Sequence, residues 1–211
     1  INDTINNSII TGHYGEIFKS IDSAIVTKNA LAISISKGDS LYIHSDTLTI
    51  TGPDESKILK GFYDVRIFKS DVRGKSDSIH YNQTNGLIKL LKRPLDQTIA
   101  RNLTDEEKNQ INPVVWFGEN QLTGDEIFLK SNAQTQELDS LLISGNVFMI
   151  QKDSISKDGY NQIKGEKLEG SFYDGRLENI NVIKNSIILY YMHSDDGEDF
   201  LGLNKTLASS I

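Results

Sequence analysis

The sequence predicts an all-β protein, a solenoid-like stack of antiparallel strands with one short helical insertion. Three observations carry that prediction. Apolar and polar residues alternate with period two in run after run, and a strand that alternates in this way has one apolar face. Gly, Asn or Asp breaks the alternation every ~8–12 residues, the spacing of turns in layered β proteins. An acidic residue, one spacer and an apolar strand also recur about every 40 residues, as in stacked units that bury their faces on their neighbours.

The runs are short. Leu31–Ile35, Leu41–His44, Leu48–Ile50, Val65–Phe68 and Leu87–Leu90 come first, followed by Val115–Phe117, Ile127–Leu129, Leu141–Ile143, Val147–Ile150 and Ile187–Tyr191. The recurring motif reads Asp39-Ser40-Leu41, Asp77-Ser78-Ile79, Asp125-Glu126-Ile127 and Glu166-Lys167-Leu168, with a weaker echo at Asn204-Lys205-Thr206. Gly38, Gly74, Gly124, Gly165 and Gly202 stand just ahead of these copies. About five such units are few for a closed propeller, and the His and Trp-Asp marks of the common propeller repeat are missing. The longest interval, Asp77 to Asp125, holds an insertion over 93–113 bracketed by Pro94 and Pro113. Within it Thr104-Asp105-Glu106-Glu107 is a capping-box pattern, which predicts a short helix from Asp105 to Gln110. Lys152 to Gln162 reads as a second, hairpin-type excursion. The expected organisation is one domain over 1–211.

Composition narrows the function. Hydrophobic residues make up 37% and charged residues 24% of the 211, enough for a thin, layered core rather than a thick one. The net charge is −7 and the pI about 5.1, with the basic residues scattered, so no nucleic acid or anionic membrane is expected as the main partner. The chain has no cysteine and therefore no disulfide framework or thiolate metal site. No stretch approaches the roughly 18 apolar residues of a membrane span; the longest, Ile187–Met192, is strand-sized. The sequence opens on Ile1 without methionine or signal segment, and is read as processed or trimmed.

Candidate chemistry is sparse. None of the four histidines lies in a zinc-binding HExxH pattern. His44 and His80 fall in equivalent strands of two repeats, where stacked imidazoles could meet a metal, although exposed strand histidines are the plainer reading. The acidic stretch from Asp195 to Asp199 lacks EF-hand spacing, and its Asp196-Gly197 step suits a solvated hairpin turn. The Asp-Ser dipeptides at Asp22, Asp39, Asp77, Asp139 and Asp153 sit at strand starts as turn chemistry, and no G-x-S-x-G elbow is present. No catalytic residue, metal or cofactor is expected. The apolar stripe remains. Val65, Ile67, Ile127 and Leu129 must share one side both in a sealed core and in a slot that admits acyl chains, so periodicity does not separate the two.

Four segments carry a family resemblance. Val114 to Asp125 (VVWFGENQLTGD), Leu138 to Lys152 (LDSLLISGNVFMIQK), Tyr160 to Gly170 (YNQIKGEKLEG) and Ile180 to Leu207 are similar to the OstA-like family, relatives of the lipopolysaccharide-transport protein LptA. The likeness is clearest over 60–211 and looser before Ala30, and the insertion between Pro94 and Pro113 departs from the short LptA pattern. The resemblance implies a slotted β-jellyroll in the periplasm of a Gram-negative bacterium, with outer-membrane association as a further option. It implies a non-enzymatic protein that carries lipopolysaccharide with its acyl chains in the apolar slot. The implied partners are lipopolysaccharide and other Lpt-type envelope proteins, docked end to end by strand addition, with homo-oligomers as a second mode of stacking.

On that reading the inward, lipid-binding residues are Leu41, Ile43, Val65, Ile67, Ile79, Val115, Phe117, Ile127, Leu129, Val147 and Met149. They are chosen by strand phase, which a one-residue slip would reverse. The alternatives are a structural or adhesive cell-surface β-solenoid with a sealed core, and a carbohydrate-active enzyme built on the Asp195–Asp199 acids.

Overall fold

The computed structural model describes all residues except 5–6, 37–38, 54–55, 93–103, 105–110, 133–134, 136, 157 and 197–198. The helix expected over Asp105–Gln110 lies outside the described residues.

Among the described residues fifteen antiparallel strands form one continuous sheet. In chain order they are β1 (Asn2–Asp3), β2 (Ser8–Thr11), β3 (Tyr14–Phe18), β4 (Ser23–Ser34), β5 (Leu41–Thr51), β6 (Ile58–Phe68), β7 (Arg73–Asn82) and β8 (Leu87–Leu91). Then follow β9 (Val114–Phe117), β10 (Asn120–Thr123), β11 (Glu126–Ser131), β12 (Leu138–Lys152), β13 (Tyr160–Tyr173), β14 (Arg176–His193) and β15 (Phe200–Ser210). The expected hairpin excursion is shorter than Lys152–Gln162, because Lys152 pairs with Tyr160 and Ile150 with Gln162.

Runs that look separate in the sequence are halves of one strand. Leu41–His44 and Leu48–Ile50 both belong to β5, and Leu141–Ile143 and Val147–Ile150 both belong to β12. Strands β4, β5, β6, β12, β13 and β14 are each bent part-way along. On β4, β6, β12 and β14 the bend is a pair of left-handed residues, Lys28-Asn29, Tyr63-Asp64, Gly145-Asn146 and Lys184-Asn185. Each coincides with a shift in pairing register, a bulge that folds a strand without ending it. The second member is always Asn or Asp, the non-glycine residues that tolerate this conformation best.

Opposite these bends stand a small residue and then an acid, Ser45-Asp46 on β5, Ser76-Asp77 on β7, Gly165-Glu166 on β13 and Gly124-Asp125 between β10 and β11. The small residue is needed because the two halves converge there. A β-carbon on Gly124 would fall 2.3 Å from Ile143 Cγ2, inside any real contact. Buried Ser45 and Ser76 donate their hydroxyls to the carbonyls of Thr47 and Ser78 two residues on. Two of the acids bond to the left-handed pairs: Asn146 Nδ2 donates to Asp125 at 3.0 Å, and Asn185 Nδ2 to Glu166 at 2.6 Å. The recurring acid of the sequence is thus a crease residue. Register corrects two of its copies. Thr47, Ser78, Glu126 and Lys167 lie in one cross-strand row, so Asp46, not Asp39, is the counterpart of Asp77. On β15 the crease position lies beyond Ala208, not at Asn204.

The creases align, and the sheet folds along them into two facing layers. At β8 the pattern changes. Instead of creasing, the chain departs after Leu91 and re-enters the same line as β9, so that β7 pairs with β8 in the lower layer and with β9 in the upper. Leu91 and Val114 therefore stand on either side of the line where a crease would be.

Candidate functional site

Two rows of side chains line the space between the layers, each running across the strands. In the upper layer Ile43, Ile67, Gly74, Val115, Leu122 and Met149 follow one another in register. In the lower layer the row is Val26, Leu48, Gly61, Ile79, Leu90, Ile127, Ile143, Leu168 and Val182. At about 4.8 Å per strand this row is roughly 40 Å long. Gly74 opens the upper row for the layer opposite: a β-carbon there would stand 3.3 Å from Leu90 Cδ1 and 2.7 Å from Ile67 Cγ1. The layers are in contact at their open margin too, where Ser34 Oγ and Tyr81 Oη are 3.5 Å apart and the rings of Phe117 and Phe172 meet edge to face at 4.9 Å.

This geometry makes a folded sheet closed along its crease and open along the opposite margin, which we term the seam. No family model and no curated protein matches the sequence. The fold does find a counterpart in the crystal structure of LptH, the LptA-homologous periplasmic component of the lipopolysaccharide transport device of Pseudomonas aeruginosa. The TM-score is 0.51 at 10% identity, covering 72% of this chain and 100% of that one. The fold is an LptA-like β-jellyroll.

The jellyroll places all eleven residues singled out by strand phase in its interior. Ile43, Ile67, Val115 and Met149 lie in the upper row, Ile79 and Ile127 in the lower, and Leu129 one pair further toward the seam. Val65 and Val147 flank the crease, while Leu41 and Phe117 stand at the upper rim of the seam. All eleven are buried. The interior is filled by its own side chains: Val65, Ile79, Val115, Ile127, Leu129 and Val147 have no exposed surface, and the space beneath the seam at Leu41, Tyr81 and Leu138 is about 20 Å³. An acyl chain would enter this core only if the layers part.

Sequence phase missed Leu90, Leu122, Ile143 and Leu168, which share the same two rows and are fully buried. Leu168 and Ile143 were legible as strand residues, but their row depends on the bulges that shift register, and those have no period-two signature.

The polar groups gather at the margins. His44 pairs across β6 to Arg66 in the upper layer, whereas His80 pairs to Lys60 and Lys89 in the lower. The two imidazoles are therefore not stacked, because equivalent strands carry them on opposite sides of the crease. Among the described residues no group of three or more His, Asp or Glu could hold a metal ion. Burial, and then the charges of Lys60 and Lys89, push His80 below its ordinary value. Asp153 accepts from the amides of Ser156 at 2.6 Å and Ile155 at 3.2 Å and pairs with His193 Nε2 at 2.8 Å, fastening the β12–β13 turn to the end of β14. Nearby, Ser194 Oγ donates to Asp196 and accepts from the Asp199 amide, the bonding of a turn.

Proposed function

We propose that this protein is a non-enzymatic lipid-transport domain of the bacterial envelope that shelters the acyl chains of lipopolysaccharide between its two layers in the periplasm. The observation that supports this reading most directly is the pair of rows, aliphatic apart from Gly61 and Gly74, inside an LptA-like jellyroll whose two layers are hinged along one crease. Burying an acyl chain stabilises it by about 0.8 kcal/mol per methylene, so an aqueous crossing requires an apolar lining that continues from end to end. The lower row, about nine strands long, is the longest stretch of such a lining.

The ends of the sheet support end-to-end assembly with Lpt-type partners or further copies. Among the described residues β15 pairs with β14 alone, and it exposes Phe200, Leu201, Leu203 and Leu207. At the other end β3 exposes Tyr14, Ile17 and Phe18. Such open, apolar edges suit strand addition and are a liability if left bare.

Photo-crosslinking tests the lipid reading. A photoreactive residue at Ile67 or Ile127 is expected to capture lipopolysaccharide, while one at Arg66, exposed on the outer face, is not. Equal labelling at all three positions, or none, would reject it. The self-filled core favours a second reading, a sealed structural or adhesive solenoid, which predicts no capture at Ile67 or Ile127 and no saturable uptake of apolar probes.

A further inference from the structure

The net charge of −7 hides a local reversal. Strand alternation turns one set of side chains on the upper layer away from the interior, and on this outer face two cross-strand lines adjoin. Tyr42, Phe68, Arg73 and Trp116 stand side by side on β5, β6, β7 and β9. Two residues nearer the crease, His44, Arg66 and Lys75 follow one another on β5, β6 and β7. Basic residues that are scattered along the sequence are gathered here. Carboxylates answer little of their charge. Among the described residues Arg73 and Lys75 have no ion-pair partner. Arg66 pairs with Asp64 at 3.1 Å, but both side chains are more than half exposed, so water screens the pair. Arg66 and Lys75 are directly opposite across β6–β7, an arrangement of like charges that costs stability and that a bound anion would relieve.

The aromatic groups beside these cations are held in place. The rings of Tyr42 and Phe68 are 6.2 Å apart, and the Arg73 guanidinium lies 5.6 Å from the centre of the Phe68 ring. Trp116 Nε1 donates to Gln121 Oε1 on the next strand at 2.9 Å. At the rim a recess of about 490 Å³ opens between the β6–β7 and β9–β10 turns, lined by Ser70, Asp71, Val72, Arg73, Trp116 and Gly118. Of its two charged groups Asp71 is already paired with Lys69 at 3.2 Å, which leaves Arg73 to take an anion.

We propose that this face binds the phosphorylated saccharide headgroup of the lipid whose acyl chains lie between the layers. The inference rests on the lipid-binding reading and adds a place for the part of the molecule that stays outside. Guanidinium and ammonium groups supply charge-assisted hydrogen bonds to phosphate oxygens. The face of an indole suits the C–H face of a sugar ring, slightly positive hydrogens meeting a slightly negative π surface. The recess has the volume of a small-molecule site, ~300–1,000 Å³. An anionic bilayer would match the charges too, but it favours side chains that project into it, whereas here the indole is tied to its neighbour and the surface is concave. Trp116 faces the recess and Phe117, next along β9, is buried at the rim of the interior, so a headgroup and its chains would straddle one strand.

Trp116 is the single tryptophan of the chain, so its fluorescence reports on the site directly. The probe is lipopolysaccharide stripped of its acyl chains, which keeps phosphates and sugars and has nothing to place in the core. Titrated into the full chain, it should change Trp116 emission saturably, and the same saccharide freed of phosphate should bind about tenfold more weakly, the equivalent of one charge-assisted hydrogen bond. Arg73→Gln combined with Lys75→Gln, both on exposed side chains, should weaken binding of the phosphorylated form by about the same factor. Lys205→Gln, an equal loss of charge on β15, should not. The comparison of phosphorylated with dephosphorylated saccharide needs no variant, so it stands even if the double variant fails to fold. No saturable response, equal affinity after dephosphorylation, or an equal response to anionic phospholipid vesicles would overturn the site. Uptake of N-phenyl-1-naphthylamine reads the interior separately. Saturable uptake without a saccharide response would reject the headgroup site alone, whereas no uptake by the unaltered chain would reject the lipid-binding reading and with it the assignment of this face to a lipid headgroup.

Discussion

Ile127 and Leu129 leave no surface exposed, and each sits between aliphatic neighbours on both sides, Leu90 and Ile143 for one and Ile88 and Leu141 for the other. Truncating either to alanine should cost about 2–5 kcal/mol in urea unfolding, since a two-layer core has little material to collapse into the gap. Gly145 is a different case. Its φ is +73° and a β-carbon there would meet the Asp125 carboxylate at 2.3 Å, so Gly145→Ala should lose about 1–3 kcal/mol through strain at the crease. Asp39 gives a pH signature. Burial raises its pKa, but the Ser70 hydroxyl and amide together with Lys69 outweigh burial and hold the carboxyl below its ordinary value. Its folded pKa is thus below its unfolded one, so its contribution to stability is complete above the usual carboxylate range and fades as pH falls through the folded value. Comparing Asp39→Asn with the parent in urea melts from pH 6 down to about pH 2.5 should show the difference between them shrinking over the acid end; a constant gap would contradict this. Residue chemistry of this kind was only half visible in the sequence. The Asp39-Ser40-Leu41 motif was plain, but its partners, Lys69 and Ser70, lie across a turn that only register reveals.

Among the elements, strand phase was the most legible feature. Alternation alone put Ile67 and Arg66 on opposite faces, and the structure agrees, because a half-buried sheet leaves no freedom in that choice. Strand length was not legible. The Asn and Asp residues that look like turns in the sequence, Asn29, Asp64, Asn146 and Asn185, are bends inside continuous strands. The physical reason is that a left-handed pair and a hairpin use the same residue types, and only the presence of a pairing strand beyond tells them apart. The signal that could have found the creases was a paired one: Ser-Asp, Gly-Asp or Gly-Glu on one strand answering an Asn or Asp on the next. Strand burial also predicts a gradient. β15 is almost wholly exposed while β11 and the first half of β12 carry the core, so amide exchange should be slowest in β11–β12 and fastest in β15 and β3. Uniform protection along the sheet would count against this picture.

For the whole molecule, the fold class followed from period and composition, and its likeness to LptH is one of architecture. The proposed assembly follows from what the ends lack. Replacing Leu203 and Leu207 with lysine should abolish any concentration-dependent growth in mass seen by light scattering and leave the circular dichroism spectrum unchanged, because both side chains are more than half exposed and touch no core row. The line shared by β8 and β9 has a different consequence. β7, from the first part of the chain, hydrogen-bonds to β8 of its own part and to β9 of the second, while β8 is gripped on its far side by β11 of the second. Were the backbone severed between Lys92 and Pro113, neither piece could be lifted away without unzipping strands in both layers. The protein is in this sense two clasped fragments that happen to share one chain, and polypeptides 1–92 and 111–211, made separately, should find each other and rebuild the sheet.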